Sequence, residues 1–200
     1  MLGEKTKVVS VVHMSNVLGT VNPVAEITKW AHAAGAVMVV DGTQAAVHLD
    51  VNVSDIGCDL YAMTGHKLYG PTAIGALYGT TEVLEKMRPF NGGGEMIEDV
   101  YTDRVTYAEP PYKFEAGTPP ILEAIGLGAA IDWISQFDAA DIHQHEMALY
   151  HAARDGLADM NSVRIFGTTA DKGPVLAFSL EGAHAHDIAQ IRGQCLRMRQ

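Results

Sequence analysis

"AVMVVDGTQAAVHLDVNVSDIGCDLYAMTGHKLYGPTAIGALYG", residues 36–79, contains three apolar runs, each closed by polar residues or a glycine. "AVMVVDG" is a near-continuous apolar strand ending at Asp41. "DIGCDLYAMTGHK" holds a second short strand ending near Thr64, and "AIGALYG" a third. Runs this short, apolar throughout and bounded by turn residues, read as strands covered on both faces. Upstream, "KVVSVVH" (7–13) reads as another buried strand and "SNVLGTVNP" as the loop after it. Between them and Asp41, "VAEITKWAHAAG" keeps helical spacing at Val24, Ile27, Trp30, Ala31 and Ala34, with Gly35 as its C-terminal stop. Strand, helix, strand with apolar strands predicts an α/β fold, a mostly parallel sheet with helices on its faces.

Past residue 80 the texture changes. Residues 81–88 read as a helix, 89–120 as a long irregular section holding "NGGGE" and "FEAGTPP", and 121–137 and 139–160 as two helices. "VRIFG", "GPVLAFSLEG" and "AHAHDIAQI" then suggest two strands and the start of a helix, opening a smaller α+β domain. The expected division is therefore 1–137 for part of a large domain and 138–200 for a connecting helix and the start of a small one. The chain opens almost directly on a core strand and ends in "RGQCLRMRQ", which continues no apolar period, so both ends read as cut.

With 48% hydrophobic and 19% charged residues the 200-residue chain has the composition of a folded protein, not a disordered one. A net charge of −10 and the absence of any Lys/Arg-rich run argue against a nucleic-acid-binding surface. No apolar stretch reaches membrane-spanning length, and the N-terminus lacks the apolar segment of a secretory signal. Cys58 and Cys195 lie far apart with no C-x-x-C pattern, which suggests neither a disulfide framework nor a zinc site and makes a reducing, cytoplasmic setting the default. The pairs His143/His145 and His184/His186 are poor joint metal ligands, because i and i+2 leave a helix on different faces. "NGGGE" has no Lys-Ser/Thr after it and is not a P-loop.

In open α/β sheets, ligands bind beyond the carboxyl ends of the strands. Three polar sets fall there: His13-Met14-Ser15-Asn16, Asp41-Gly42-Thr43-Gln44 and Thr64-Gly65-His66-Lys67. Lys67 alone reads as a surface lysine, Asp41 alone as a helix cap, and Cys58 as a buried core thiol. Together the sets suit pyridoxal phosphate. That cofactor needs a lysine amine for a Schiff base and a carboxylate that keeps the pyridine nitrogen protonated. Lys67 and Asp41 suit those two needs, Thr64 and His66 can donate to the phosphate, Gly65 lets the backbone come close, and Gln44 can donate to the ring hydroxyl.

Residues 41–79 resemble the cofactor core of the class-V aminotransferase family, and within it are most similar to the group II cysteine desulfurases. "HMSNVLGTVNP", "KFEAGTPP" and "GAHAHDIA" are similar to three further motifs of that family, in the same order, so the resemblance covers about residues 5–190. It implies the type I pyridoxal-phosphate-dependent transferase fold, here partial, with a large seven-stranded domain and a small C-terminal one. It implies that Lys67 carries the Schiff base, Asp41 pairs with the pyridine nitrogen and Gln44 contacts the ring hydroxyl. Asn16 would lie near cofactor and substrate, and Thr64 and His66 would hold the phosphate. Thr118 would reach the phosphate of a neighbouring subunit in a homodimer. No metal is implied. The reaction implied takes L-cysteine to L-alanine and leaves the sulfur as an enzyme-bound persulfide, for delivery to an acceptor protein in iron–sulfur cluster assembly.

Two departures qualify the match. The family's persulfide-forming cysteine lies in an arginine-glycine-(x)-histidine-cysteine loop after "HAHDIA", whereas this chain reads "QIRGQCLRMRQ" and stops. Cys195 has no histidine before it and its spacing from Arg192 is one residue short, so it is not assigned as the nucleophile. The family's large domain also begins well before this chain does. The alternatives left open are another class-V enzyme, such as a selenocysteine lyase or an aminotransferase, and a non-catalytic cofactor-binding remnant.

Overall fold

The computed structural model describes residues 2–197, the stretch 192–197 by its backbone alone. The chain divides into two compact units: residues up to His13 together with Pro23–Asp138, and Met14–Asn22 together with the chain from Ala139 onward.

In the first unit β1 (Val8–Val12), α1 (Val24–Ala33) and β2 (Val37–Asp41) follow one another. Two single-turn helices, α2 (Ala45–His48) and α3 (Val53–Ile56), lead to β3 (Leu60–Thr64) and β4 (Gly75–Gly79). The sheet order is β1-β2-β3-β4; the first two pairings are parallel and β3-β4 is antiparallel. α4 (Thr81–Lys86), a hairpin of β5 (Ile97–Val100) and β6 (Val105–Tyr107), and α5 (Ile121–Ile134) complete this unit. The hairpin falls inside the section expected to be irregular. Every β5 residue is exposed and its sequence, Ile-Glu-Asp-Val, gives no apolar alternation from which to read a strand.

The core forms where Met38, Val40, Cys58 and Tyr61 meet Val24 and Ala31 of α1. Val24, Thr28 and Ala31 form the buried stripe of that helix, at i, i+4 and i+7. Trp30, expected on the apolar face, stands about 100° round the helix from Ala31 and is 58% exposed. Thr28 is buried without cost because its hydroxyl donates to the Val24 carbonyl at 2.7 Å. Gly35 does end α1, with φ of 72° and its N–H on the His32 carbonyl. β1, expected to be buried, alternates between exposed and half-buried because it lies at a sheet edge and pairs only with β2.

Asp59 joins β2 to the start of β3 twice over. Its N–H donates to the Met38 carbonyl at 3.1 Å and its Oδ2 accepts from Met38 N–H at 2.6 Å, with His32 Nε2 at 2.9 Å from the same oxygen. Met38 is fully buried, so removing that acceptor leaves an N–H with no water to turn to. Asp59→Ala should therefore lower stability by about 2 kcal/mol in urea unfolding, and Asp59→Asn, which keeps an oxygen, should lose much less.

The second unit contains α6 (Ala139–Ala158), an antiparallel pair of β7 (Val163–Phe166) and β8 (Ala177–Leu180), and α7 (Ala185–Arg197). The Met14–Asn22 loop pairs into it through Thr20 and Lys172. Lys172 Nζ donates to the Gly167 carbonyl at 2.8 Å and lies 4.4 Å from the Tyr150 ring centre. Among the described residues no helix is long and apolar enough to cross a membrane.

Candidate active site

Because β1, β2 and β3 are parallel, their carboxyl ends share one edge of the sheet. Val12 is the register partner of Asp41, and Asp41 of Ala62, so His13, Asp41 and Thr64 end neighbouring strands. Beyond Thr64 the chain makes one 3-10 turn, Gly65–Lys67. That turn is tied down by Gly65 N–H on the Ile74 carbonyl at 2.8 Å and by Leu68 and Gly70 N–H on the Gly65 carbonyl, both at 2.9 Å. A side chain at Gly65 would put its Cβ 2.8 Å from Cγ2 of Ile74, so the requirement for glycine there is close packing.

The turn delivers Lys67 to the α2 side. Its Nζ donates to Gln44 Oε1 at 2.9 Å, and Lys67 forms no ion pair among the described residues. Gln44 Nε2 faces His48 Nε2 one helical turn on, at 3.5 Å. Thr64 Oγ1 and His66 Nδ1 share a hydrogen bond of 2.9 Å, which links two groups able to donate to an anion. Asp41 is exposed on the rim, its Oδ1 accepting from Thr43 N–H at 2.9 Å. An amine held by a neutral amide, an exposed carboxylate on the adjoining strand end and a hydroxyl–imidazole pair match the donor set that pyridoxal phosphate requires.

The other expected residues stand differently. Asn16 is exposed in the Met14–Asn22 loop, which belongs to the second unit. Thr118 is exposed just before α5, and no hydrogen bond joins it to the Lys67 set. Its loop is anchored by Gly117 N–H on the Gly94 carbonyl at 2.9 Å, so "FEAGTPP" and "NGGGE" lie against each other. The side chain of Cys195 lies outside the described residues, and Cys58 is a core thiol, 1% exposed, that burial pushes above its usual pKa. Among the described residues no three His, Cys, Asp or Glu side chains cluster to hold a metal ion.

The aminotransferase class-V family model matches residues 1–194. The chain belongs to that family. A cysteine desulfurase of Dickeya dadantii is 48% identical over 195 residues, covering 97% of this chain and 47% of that protein. The crystal structure of the cysteine desulfurase CsdA from Escherichia coli superposes with a TM-score of 0.91 at 38% identity, over 96% of this chain and 48% of that one. A C-DES mutant with glycine covalently linked to its PLP cofactor superposes with a TM-score of 0.84 at 27% identity, over 96% of this chain and 52% of that one. The class-V chain thus spans about half the length of the curated relatives it matches, and the α/β fold expected from its sequence is that of these solved structures, one of which carries PLP.

One residue of the class-V chain near this rim, Tyr61, was not singled out from sequence, and neither was its pairing with His13. Tyr61, 3% exposed, reads in sequence as one more apolar strand residue, but its hydroxyl lies 3.1 Å from His13 Nδ1. Burial holds the His13 imidazole below its usual pKa. Burial, with Cys58 and Asp41 adding to it, pushes the Tyr61 phenol far above its own. An aromatic residue whose polar tip meets a strand-end histidine gives no signal until the register of β1, β2 and β3 is known.

Proposed function

We propose that this chain carries the cofactor-binding part of a pyridoxal-phosphate-dependent cysteine desulfurase. The observation that carries the reading is the Lys67 amine on Gln44 Oε1, on the same sheet edge as Asp41 and the Thr64–His66 pair. Bound there, the cofactor supplies an electron sink for bonds broken next to the substrate amine carbon. Lys67 would provide the amine that holds the cofactor and would move protons at the substrate α-carbon. Asp41 keeps the pyridine nitrogen protonated, Gln44 meets the ring hydroxyl, and Thr64 and His66 hold the phosphate. Motif likeness gives Asn16 a role toward cofactor and substrate, and Thr118 one toward the phosphate of a second copy in a homodimer. Residues 1–137 belong to the large domain and 138–200 to the connecting helix and small domain. The overall exchange is balanced: L-cysteine and a protein thiol give L-alanine and a protein persulfide. A cytoplasmic location, in keeping with two cysteines far apart in sequence, and an acceptor protein of iron–sulfur assembly complete the proposal.

The test is release of alanine from L-cysteine by the full chain loaded with pyridoxal phosphate, with dithiothreitol to regenerate the thiol. Asp41→Ala should slow it roughly a hundredfold or more, because the carboxylate stabilises charge that develops on the ring during reaction. Cofactor binding without alanine release would overturn the desulfurase assignment for this chain and leave a cofactor-binding protein.

A further inference from the structure

Tyr61 and His13 hold none of the roles above, yet both grip the segment that carries Asp41. His13 N–H donates to the Asp41 carbonyl at 2.8 Å, pinning the end of β1 to the end of β2. The imidazole of the same residue meets the Tyr61 hydroxyl at 3.1 Å, with the two rings edge to face at a centroid distance of 6.1 Å. The Tyr61 ring in turn fills the space beside Gly42, where any Cβ would overlap it, while Gly42 N–H donates to the Ala62 carbonyl at 2.9 Å. Asp41 is therefore held at its carbonyl by His13 and on its C-terminal side by the Tyr61 ring, and these two holders are bonded to each other.

We propose that the Tyr61 hydroxyl and the His13 ring are a positioning pair that fixes the Asp41 carboxylate for its contact with the cofactor's ring nitrogen. The proposal rests on the pyridoxal-phosphate reading above. Register explains why the pair acts from behind. Tyr61 lies level with Val40, and both belong to the core cluster under α1, so Tyr61 lies on the α1 face of the sheet while Asp41, paired with Ala62, alternates to the other face. A phenol that burial keeps neutral is a lasting donor, and an imidazole that burial keeps neutral offers an acceptor, so the bond persists across the neutral pH range. Its effect on ligand binding is indirect: with the bond gone, the Tyr61 ring and the β1 end can shift independently, and the carboxylate direction loosens.

The test uses the full chain, Tyr61→Phe and His13→Gln, which keep the packed ring and the His13 main-chain bond respectively. Equilibrium dialysis measures the affinity for pyridoxal phosphate and for an analogue in which the ring nitrogen is replaced by C–H. Both variants should bind pyridoxal phosphate about three- to tenfold more weakly. They should bind the analogue within about twofold of wild type, because it has no ring nitrogen for Asp41 to meet. In an Asp41→Ala background, Tyr61→Phe should add nothing. Equal losses for both ligands would show general loosening of the fold and overturn the assignment, as would unchanged affinity for both. If the wild-type chain shows no Lys67-dependent binding, the cofactor reading itself falls and this assignment with it.

Discussion

Lys67→Ala should abolish covalent capture of pyridoxal phosphate and reduce any turnover by at least about a thousandfold, since one side chain supplies both the bonding amine and the proton carrier. The other described lysines near ordered partners are engaged elsewhere. Lys7 donates to the Glu4 carbonyl at 3.2 Å, Lys86 pairs with Glu82 at 2.6 Å on the surface, Lys113 donates to the carbonyls of Leu84 at 3.1 Å and Glu85 at 2.8 Å, and Lys172 holds the Gly167 carbonyl. Among the described lysines, Lys67 is the one held by a side-chain amide, half-buried next to the strand end that carries Asp41. An amine held by an amide oxygen is not committed to a carboxylate and can exchange its hydrogen bond for a covalent one at small cost. The measurement is the visible spectrum of the chain with cofactor before and after dialysis, beside the variant. A band of wild-type strength in Lys67→Ala would place the bonding amine elsewhere.

The second large effect belongs to Gly42→Ala. A methyl group there cannot coexist with the Tyr61 ring, which is 3% exposed, held by His13 and packed in the α1 core. Something has to move, and forced overpacking of a filled core costs about 2–3 kcal/mol. Gly35 provides the contrast: its φ of 72° strains any other residue, but a Cβ there meets nothing. Gly35→Ala should thus cost only about 1 kcal/mol, a backbone effect with no consequence for ligand binding. Gly42→Ala should lose stability in urea unfolding and also weaken cofactor binding, because the displaced segment begins at Asp41. A Gly42→Ala chain as stable as wild type would contradict the packing described around Tyr61.

These effects also show which parts of the molecule are legible in its sequence. Asp41 and Thr64 end their strands where the apolar runs stop, and Gly35 ends α1, because burial on a parallel sheet and the left-handed helix stop each leave a local residue pattern. Gln44 and Lys67 are 23 residues apart, and their 2.9 Å contact follows once two parallel strand ends are set side by side. The β5–β6 hairpin is not legible, since β5 is exposed and without alternation and β6 is only three residues long. Trp30 misleads because the apolar pattern of α1 is wider than the stripe the sheet covers. The Tyr61–His13 bond is invisible for a different reason: Tyr61 looks ordinary in its strand, His13 reads as one polar residue at a strand end, and only the register relates them. The roles given to Asn16 and Thr118 rest on motif likeness: Asn16 belongs to the second unit, and no hydrogen bond joins Thr118 to the Lys67 set.

The most direct measurement is to load the full chain with pyridoxal phosphate, reduce it with borohydride and map the labelled peptide by mass spectrometry. We expect the pyridoxyl group on the peptide containing Gly65-His66-Lys67, and on no other. Label on Lys86, Lys113 or Lys172 instead, or none at all in a folded sample, would contradict the assignment of this strand end as the cofactor site.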